Sequence, residues 1–572
     1  MSSRERGEPQ SNDPTFRRIA QGTVSGLVSP NGALAWRGIP FAAPPVGALR
    51  WKAARPPAPF AEHFAAVSCG AACVQGPSLA APFVDDDGDG LVGSEDCLYL
   101  NVFAPSQVTQ PLPVMFWIHG GGNVGGHNAS PGYDASLLAE RHNVVVVAVN
   151  YRLGALGWFV HPAFIAEESS ADDASGNWGI LDIIRGLEWV RENIAAFGGD
   201  AGNVTVFGQS AGGLNACALL LSPRAAGLFH RAIVQSGGAP MSTFASATNF
   251  SDDPEPGHFN SAREVFNRLL IRLGRAPDRE AAKALQQQLS AAEIRELLYA
   301  QTPAEIIALM NPHDVRLYDA PRVLLDGTVI TREPAREAFA AGHFNKVPVI
   351  LGTTRDERRL YMYRDPRFER MLESAPGDYM RYSLYTSLAW KLRGVDELAR
   401  AMFGSGHRAI YAYRFDWDEQ GIIDDVDLSL ALGAAHTVEL PFVFGHGTSL
   451  AAFGDLEAPS RHALTRSVQA YWAEFAYTGT PGAGRNGDEL HWTAWDNAAD
   501  ASKLMIFDTD ADGGIRLSAE QLTLEGLKHA LLTDSGFHDR ALQAQLYREV
   551  FGRRAFEREY PAATASPAAP AE

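Results

Sequence analysis

The chain reads Val204-Thr205-Val206-Phe207-Gly208-Gln209-Ser210-Ala211-Gly212 and runs on through an apolar stretch from Leu214 to Leu221, closed by Ser222-Pro223. The first four residues are β-branched or aromatic and predict a strand, and the later stretch predicts a helix. Between them Gly-x-Ser-x-Gly lets the backbone turn so sharply that a serine hydroxyl stands exposed at the junction. The pentapeptide alone is a weak signal, because glycine-rich turns hold serines by chance. Strand, turn and helix in that order make Ser210 a candidate nucleophile.

Working outward, His119-Gly120-Gly121-Gly122 follows the apolar run Leu112 to Ile118. Successive glycines allow backbone N–H groups to converge on one point without Cβ obstruction, which a developing oxyanion requires. Gly121, Gly122 and the N–H of Ala211 are the expected donors. A serine nucleophile also needs a base, and the base an orienting acid, in the chain order serine, acid, histidine. Sixteen histidines and 67 carboxylates leave that choice open on residue type alone. Position restricts the search to residues after strands, where Glu357 follows Val347 to Gly352, with Asp356 its nearest rival, and His436 lies well beyond Ile410 to Phe415, but the residues alone do not choose among the candidates.

Those strands belong to a set. Leu112 to Ile118, Val144 to Val149, Val204 to Phe207, Ala232 to Gln235, Val347 to Gly352 and Ile410 to Phe415 are short apolar runs, the pattern of parallel strands covered on both faces. Helical signals alternate with them, so the fold class is α/β with a mostly parallel central sheet. Ser261 to Glu264, Ser290 to Glu293 and Thr302 to Glu305 fit the capping box, and Phe266, Leu269, Leu270 and Leu273 recur at helical spacing before Gly274. Residues from about 258 to 345 are therefore expected to form a helical insertion, with Asp326-Gly327 turning a tight hairpin. The expected layout is a flexible segment at 1–15, one domain at 16–556 and a disordered Ala/Pro/Ser-rich tail at 557–572.

The 572 residues are 46% hydrophobic and 20% charged, an ordinary globular composition with enough chain to bury a large core. A formal charge of −18, with basic residues scattered, disfavours nucleic acid and anionic lipid. The Val144 to Val149 run is far short of the ~20 apolar residues that cross a bilayer. A polar amino terminus leads to a cytoplasmic expectation. Four cysteines do not make a disulfide framework, and in a reducing compartment free thiols are expected, although Cys69, Cys73 and Cys97 lie close enough in sequence for one bridge. No His-Glu-x-x-His occurs, and neither metal nor cofactor is expected. Asp85, Asp87, Asp89, Gly90 and Asp96 fall at calcium-loop spacing, but position 12 is Asp and no flanking helices are indicated, so a solvated loop is the reading taken.

Taken together the motifs resemble the type-B carboxylesterases, the family of bacterial p-nitrobenzyl esterases and animal cholinesterases. Phe197-Gly198-Gly199 leading to the elbow resembles the active-serine signature, and Glu95-Asp96-Cys97-Leu98-Tyr99-Leu100-Asn101-Val102 the second signature. Arg37-Gly38-Ile39-Pro40-Phe41-Ala42, Ser175-Gly176-Asn177, Gln235-Ser236-Gly237 and Tyr471-Trp472-Ala473-Glu474-Phe475 extend the likeness over residues 20 to 510. The resemblance implies an α/β-hydrolase fold, Ser210 as nucleophile, Glu357 as acid and His436 as base. It also implies an Arg50–Glu95 ion pair and a Cys73–Cys97 bridge. The implied activity is hydrolysis of esters of short to medium acyl chain, with a small-molecule ester and water as partners and a monomer or homodimer as the assembly. The same machinery serves amides, carbamates or polyesters, and a non-catalytic adhesion role is the reading from another class. The loop before the second signature has no tryptophan, which disfavours choline esters. Asn123 after the glycine run and Thr437 after the histidine depart from common family residues and are expected to reshape the pocket wall.

Overall fold

A computed structural model of the chain describes residues 13–560 apart from 78–89, 166–169, 311–318, 320–322, 364, 424, 447–454 and 456. Its centre is an eleven-stranded sheet. In chain order the strands are β1 (Leu27–Val28), β2 (Leu34–Pro40), β3 (Tyr99–Ala104), β4 (Leu112–Ile118), β5 (Val145–Val149), β6 (Gly199–Gln209), β7 (Arg231–Gln235), β8 (Val349–Thr354), β9 (Ile410–Phe415), β10 (Leu504–Phe507) and β11 (Arg516–Ser518). They lie side by side as β11-β10-β9-β8-β7-β6-β4-β5-β3-β2-β1. Every pairing from β5 through β4, β6, β7, β8 and β9 to β10 is parallel, and the two edges are antiparallel.

The alternation of side chains along β4 shows how both faces are covered. Val114, Phe116 and Ile118 enter one buried cluster with Ile180, Ile184, Ala216 and Leu220. These partners lie on α1 (Trp178–Asn193) and α2 (Ala211–Leu220). Met115 and Trp117 enter the opposite cluster with Tyr471, Trp472 and Phe475. A parallel strand between two such layers has no wet face, hence its unbroken apolar sequence.

The segment after β7 carries α3 (Ala262–Arg272), α4 (Arg279–Gln286), α5 (Ala291–Tyr299) and α6 (Pro303–Met310). The box at Ser290 is complete, and Thr302 and Glu305 exchange reciprocal bonds. At Ser261 only half forms: its hydroxyl caps Glu264 N–H, while the Glu264 carboxylate accepts from Ser251 and Arg279 instead. The expected hairpin at Asp326-Gly327 is not formed. Leu324 makes an isolated parallel bridge to Ser242, and the Asp326 carboxylate accepts N–H bonds from Thr328, Val329 and Ile330, holding a loop that cannot pair as a ladder.

Beyond β8 come α7 (Pro376–Lys391), α8 (Pro459–Thr478) and three closing helices, α9 (Leu524–Thr533), α10 (Arg540–Phe551) and α11 (Arg553–Glu559). Leu527, Leu531, Leu546 and Tyr547 of the closing helices bury against Tyr379, Tyr382 and Tyr385 of α7 in a cluster of their own. Helix thus continues past residue 556, and Tyr560 is buried, where a tail was expected from 557. At the other end Thr15, expected to be flexible, is buried and its hydroxyl accepts from Gly26 N–H. Residues 1–12 and 561–572, and Asp85, Asp87 and Asp89 of the calcium-like spacing, lie outside the described residues.

Cys73 and Cys97 are bonded, against the expectation of free thiols, their Cα atoms held 4.9 Å apart by the chain. Arg50 grips Glu95 through two hydrogen bonds of 2.6 Å, the geometry implied by the resemblance. Cys69 is exposed, and burial pushes the Cys217 thiol up to about 12.

Candidate active site

β6 delivers Ser210 to the carboxyl edge of the sheet, and the backbone turns there at φ +58°, ψ −122° to start α2. A side chain at φ > 0 is strained, and such strain persists only where the surroundings enforce it. They do so through the flanking glycines. A Cβ at Gly208 would lie 2.5 Å from the Gly212 backbone, and one at Gly212 would lie 1.9 Å from the Ile118 carbonyl. Ser210 N–H donates to the Gln235 carbonyl at 2.9 Å, fixing the corner to β7.

The glycine run leaves β4 beside this corner. Gly121 and Gly122 have φ of +113° and +66°, and a Cβ at Gly121 would meet the Gly125 carbonyl at 2.1 Å. Among the described residues the N–H groups of Gly121, Gly122 and Ala211 donate to no protein acceptor. His119, at the head of the run, is a structural residue: it stacks on Tyr151 at 4.5 Å, and burial pushes its imidazole down to about 3. Asn123 is not a pocket wall, as was expected. It is buried, with its amide paired to Asn215 at 3.1 and 3.0 Å and its carbonyl accepting from Gly154, and so it ties the loop to α2.

Glu357 and His436 meet in the interior. His436 Nδ1 lies 2.5 Å from Glu357 Oε2. The other oxygen, Oε1, accepts from Thr353 Oγ1 at 2.7 Å and Thr354 N–H at 2.8 Å. Burial opposes ionisation of Glu357, but the imidazole and these hydrogen bonds outweigh it and hold the carboxyl below its usual range. The rival Asp356 is engaged elsewhere, with Arg355 at 2.9 Å, Arg359 at 3.2 Å and Ala434 N–H at 3.1 Å. Among the described residues the Ser210 hydroxyl makes no hydrogen bond. Gln209 Nε2, one residue away, donates to His436 Nε2 at 3.2 Å, so the imidazole presents its Nε2 lone pair towards the elbow.

Glu439, which the sequence reading passed over, completes the buried shell. It is 1% exposed, its Oε1 accepts weakly from Gln235 at 3.4 Å, and its Oε2 has no partner among the described residues. Burial, then the charge of Glu357, raises its carboxyl to about 7. The legible signal was a lone acid in Thr437-Val438-Glu439-Leu440-Pro441-Phe442, one helical turn past His436. Thr437 itself is held at φ +79°.

Trp390 of α7 and Tyr361 close over the imidazole, with ring centroids 5.0 and 5.6 Å from His436. Trp390 also walls a cavity of about 750 Å³, with Leu214 one turn along α2 from Ser210, Met241, Ala389 and Leu398. Among the described residues no helix is long and apolar enough to cross a membrane, and no group of His, Cys, Asp or Glu is placed to hold a metal.

Comparison with known proteins agrees with this architecture. The sequence matches the carboxylesterase family over residues 13–393 and 380–523. It is 35% identical over 499 residues to the para-nitrobenzyl esterase of Bacillus subtilis (strain 168), covering 83% of this chain and 91% of that one. It is 33% identical over 540 residues to the fumonisin B1 esterase of Sphingopyxis macrogoltabida, covering 88% of each. Among solved structures, a PNB esterase superposes with a TM-score of 0.64 at 31% identity, over 88% of this chain and 97% of the other. The Geobacillus stearothermophilus carboxylesterase EST55 superposes with a TM-score of 0.65 at 29% identity, with the same coverage.

Proposed function

The chain belongs to the carboxylesterase family, a serine carboxylic-ester hydrolase of the α/β-hydrolase fold, and from that premise we propose that its reaction runs through Ser210, His436 and Glu357. The 2.5 Å contact of His436 Nδ1 with a fully buried Glu357, beside a serine held at positive φ, is the observation that carries the reading. The Nδ1 proton faces the carboxylate, so Nε2 is free to take the Ser210 proton once substrate displaces the Gln209 amide. Oγ then bonds to the ester carbonyl carbon, and the N–H groups of Gly121, Gly122 and Ala211 stabilise the oxyanion. The imidazolium returns its proton to the alkoxide oxygen as the C–O bond breaks, and alcohol leaves. Water, deprotonated by the same nitrogen, releases the acid from the serine. Glu357 stays ionised throughout, steadying the imidazolium.

Esters of short to medium acyl chain are the proposed substrates, supported by a cavity of about 750 Å³ whose wall includes Trp390, Leu214, Met241 and Leu398. Initial rates on p-nitrophenyl esters from acetate to palmitate, with Ser210→Ala in parallel, test both proposals. A Ser210-dependent peak at short or medium chains is expected. Equal rates in the folded variant would defeat the assignment, and a peak at palmitate would overturn the chain-length reading.

A further inference from the structure

Glu357 is followed by Arg358, which lines the cavity that Trp390 also walls. We infer that this arginine selects for esters that carry a second, ionised carboxylate, binding it at the far end of that cavity. The inference rests on the esterase reading above and deepens it by naming a substrate class.

Three observations support it. The Arg358 Nε is buried without a hydrogen-bond partner, and among the described residues no carboxylate pairs with the guanidinium. A buried donor left unpaired is costly, and because the residue as a whole is only half-buried, an incoming carboxylate can pair with the guanidinium from the cavity. Next, the group is held in place: it lies 5.2 Å from the Tyr361 ring centroid, and Tyr361 in turn faces Trp390 at 6.1 Å and His436 at 5.6 Å. The guanidinium therefore stands one ring away from the base, on the cavity side. Finally, the charges around the cavity leave an unbalanced cation. Glu549 accepts from the Tyr382 hydroxyl and Gln545, each at 2.7 Å, and Glu397 faces Arg336 at 3.8 Å. Among the described residues Arg393, also at the wall, donates only to the Val550 carbonyl.

The chain as a whole carries −18, which repels an anionic substrate at long range. A local arginine beside the apolar part of the wall is the arrangement that would let such a substrate dock in register: alkyl chain along Leu214, Met241 and Ala389, reacting carbonyl at Ser210, carboxylate at Arg358. The carboxylate can sit on the acid or the alcohol side of the ester, and the substrates tested separate the two.

The experiment compares kcat/KM in a pH-stat for monoethyl adipate against ethyl hexanoate, and for 4-acetoxybutanoate against butyl acetate, in the native enzyme, Arg358→Gln and Arg358→Glu. The expected result is that the anionic-to-neutral ratio of one pair falls about tenfold or more in Arg358→Gln and further in Arg358→Glu. The pair that responds tells which side of the ester faces the arginine. Ratios unchanged in both pairs, with the neutral esters still hydrolysed, would overturn the inference and leave the esterase reading standing. Native enzyme that hydrolyses none of the four esters would overturn both.

Discussion

Thr437 and Glu439 show how single residues around the base are held under tension. Thr437 is β-branched yet sits at φ +79°, a conformation that costs a non-glycine residue about 1–3 kcal/mol. Glycine relieves that strain and loses roughly 0.5–1 kcal/mol in chain entropy. Thr437→Gly is therefore expected to stabilise the fold by about 1 kcal/mol, read as a higher urea midpoint at unchanged slope. Glu439 acts through pH. Its folded carboxyl titrates at about 7, while the unfolded chain ionises near 4.5. Below the lower value both states hold the proton and stability is full; it then falls as pH rises, until the folded carboxyl also ionises. The loss by pH 8 is on the order of 3 kcal/mol. Glu439→Gln should exceed the native chain by about that much at pH 8 and by under about 1 kcal/mol at pH 5, measured by denaturant unfolding. A pH-independent difference would contradict the account. For Glu357, substitution by Gln removes the acceptor that fixes the imidazole tautomer, and a fall in kcat of about 10⁴ is expected with folding intact.

Elements were legible where burial is symmetric. β4 and β9 coincide with their expected runs because a strand wrapped on both faces is apolar without interruption. β6 was read only in its second half. Its first residues, Gly199-Asp200-Ala201-Gly202-Asn203, carry turn chemistry and become strand through the sheet, with Gly199 set opposite Leu112 of β4. The same limit explains Ser261, where the box pattern cannot show that Arg279 and Ser251 draw Glu264 away. It also explains the acid of the site. Asp356 and Glu357 are adjacent and chemically alike, and what distinguishes them is the cradle of Thr353 and Thr354 around one and the arginines around the other. The Cys73–Cys97 link likewise depends on which strands the loop joins. It closes a loop with a sequence separation of 24, for which the chain-entropy relation gives about 3 kcal/mol. Reduction is expected to lower denaturant stability by roughly that amount, and thiol titration of unreduced, unfolded protein should count two.

At the scale of the whole molecule, the sheet was readable from its strands and the layer over the site was not. α9, α10 and α11 cover the tyrosines of α7, and α10 brings Val550 to the cavity edge. Leu531 is fully buried in that cluster, and Leu531→Ala should cost about 2–5 kcal/mol. If the closing helices fold as one with the sheet, the variant unfolds in a single transition at lower denaturant; two transitions would show that they unfold separately. The cavity draws its lining from chain positions far apart, Leu214 beside the elbow and Val550 near the last helix, while Ser210 and Glu357 follow strands β6 and β8 of the sheet. On the reading proposed above, part of the cavity wall thus comes from helices that carry none of the reacting groups. Substitutions along α10 can alter which ester is admitted while the proposed triad keeps its place, so a lineage can change diet without rebuilding its chemistry.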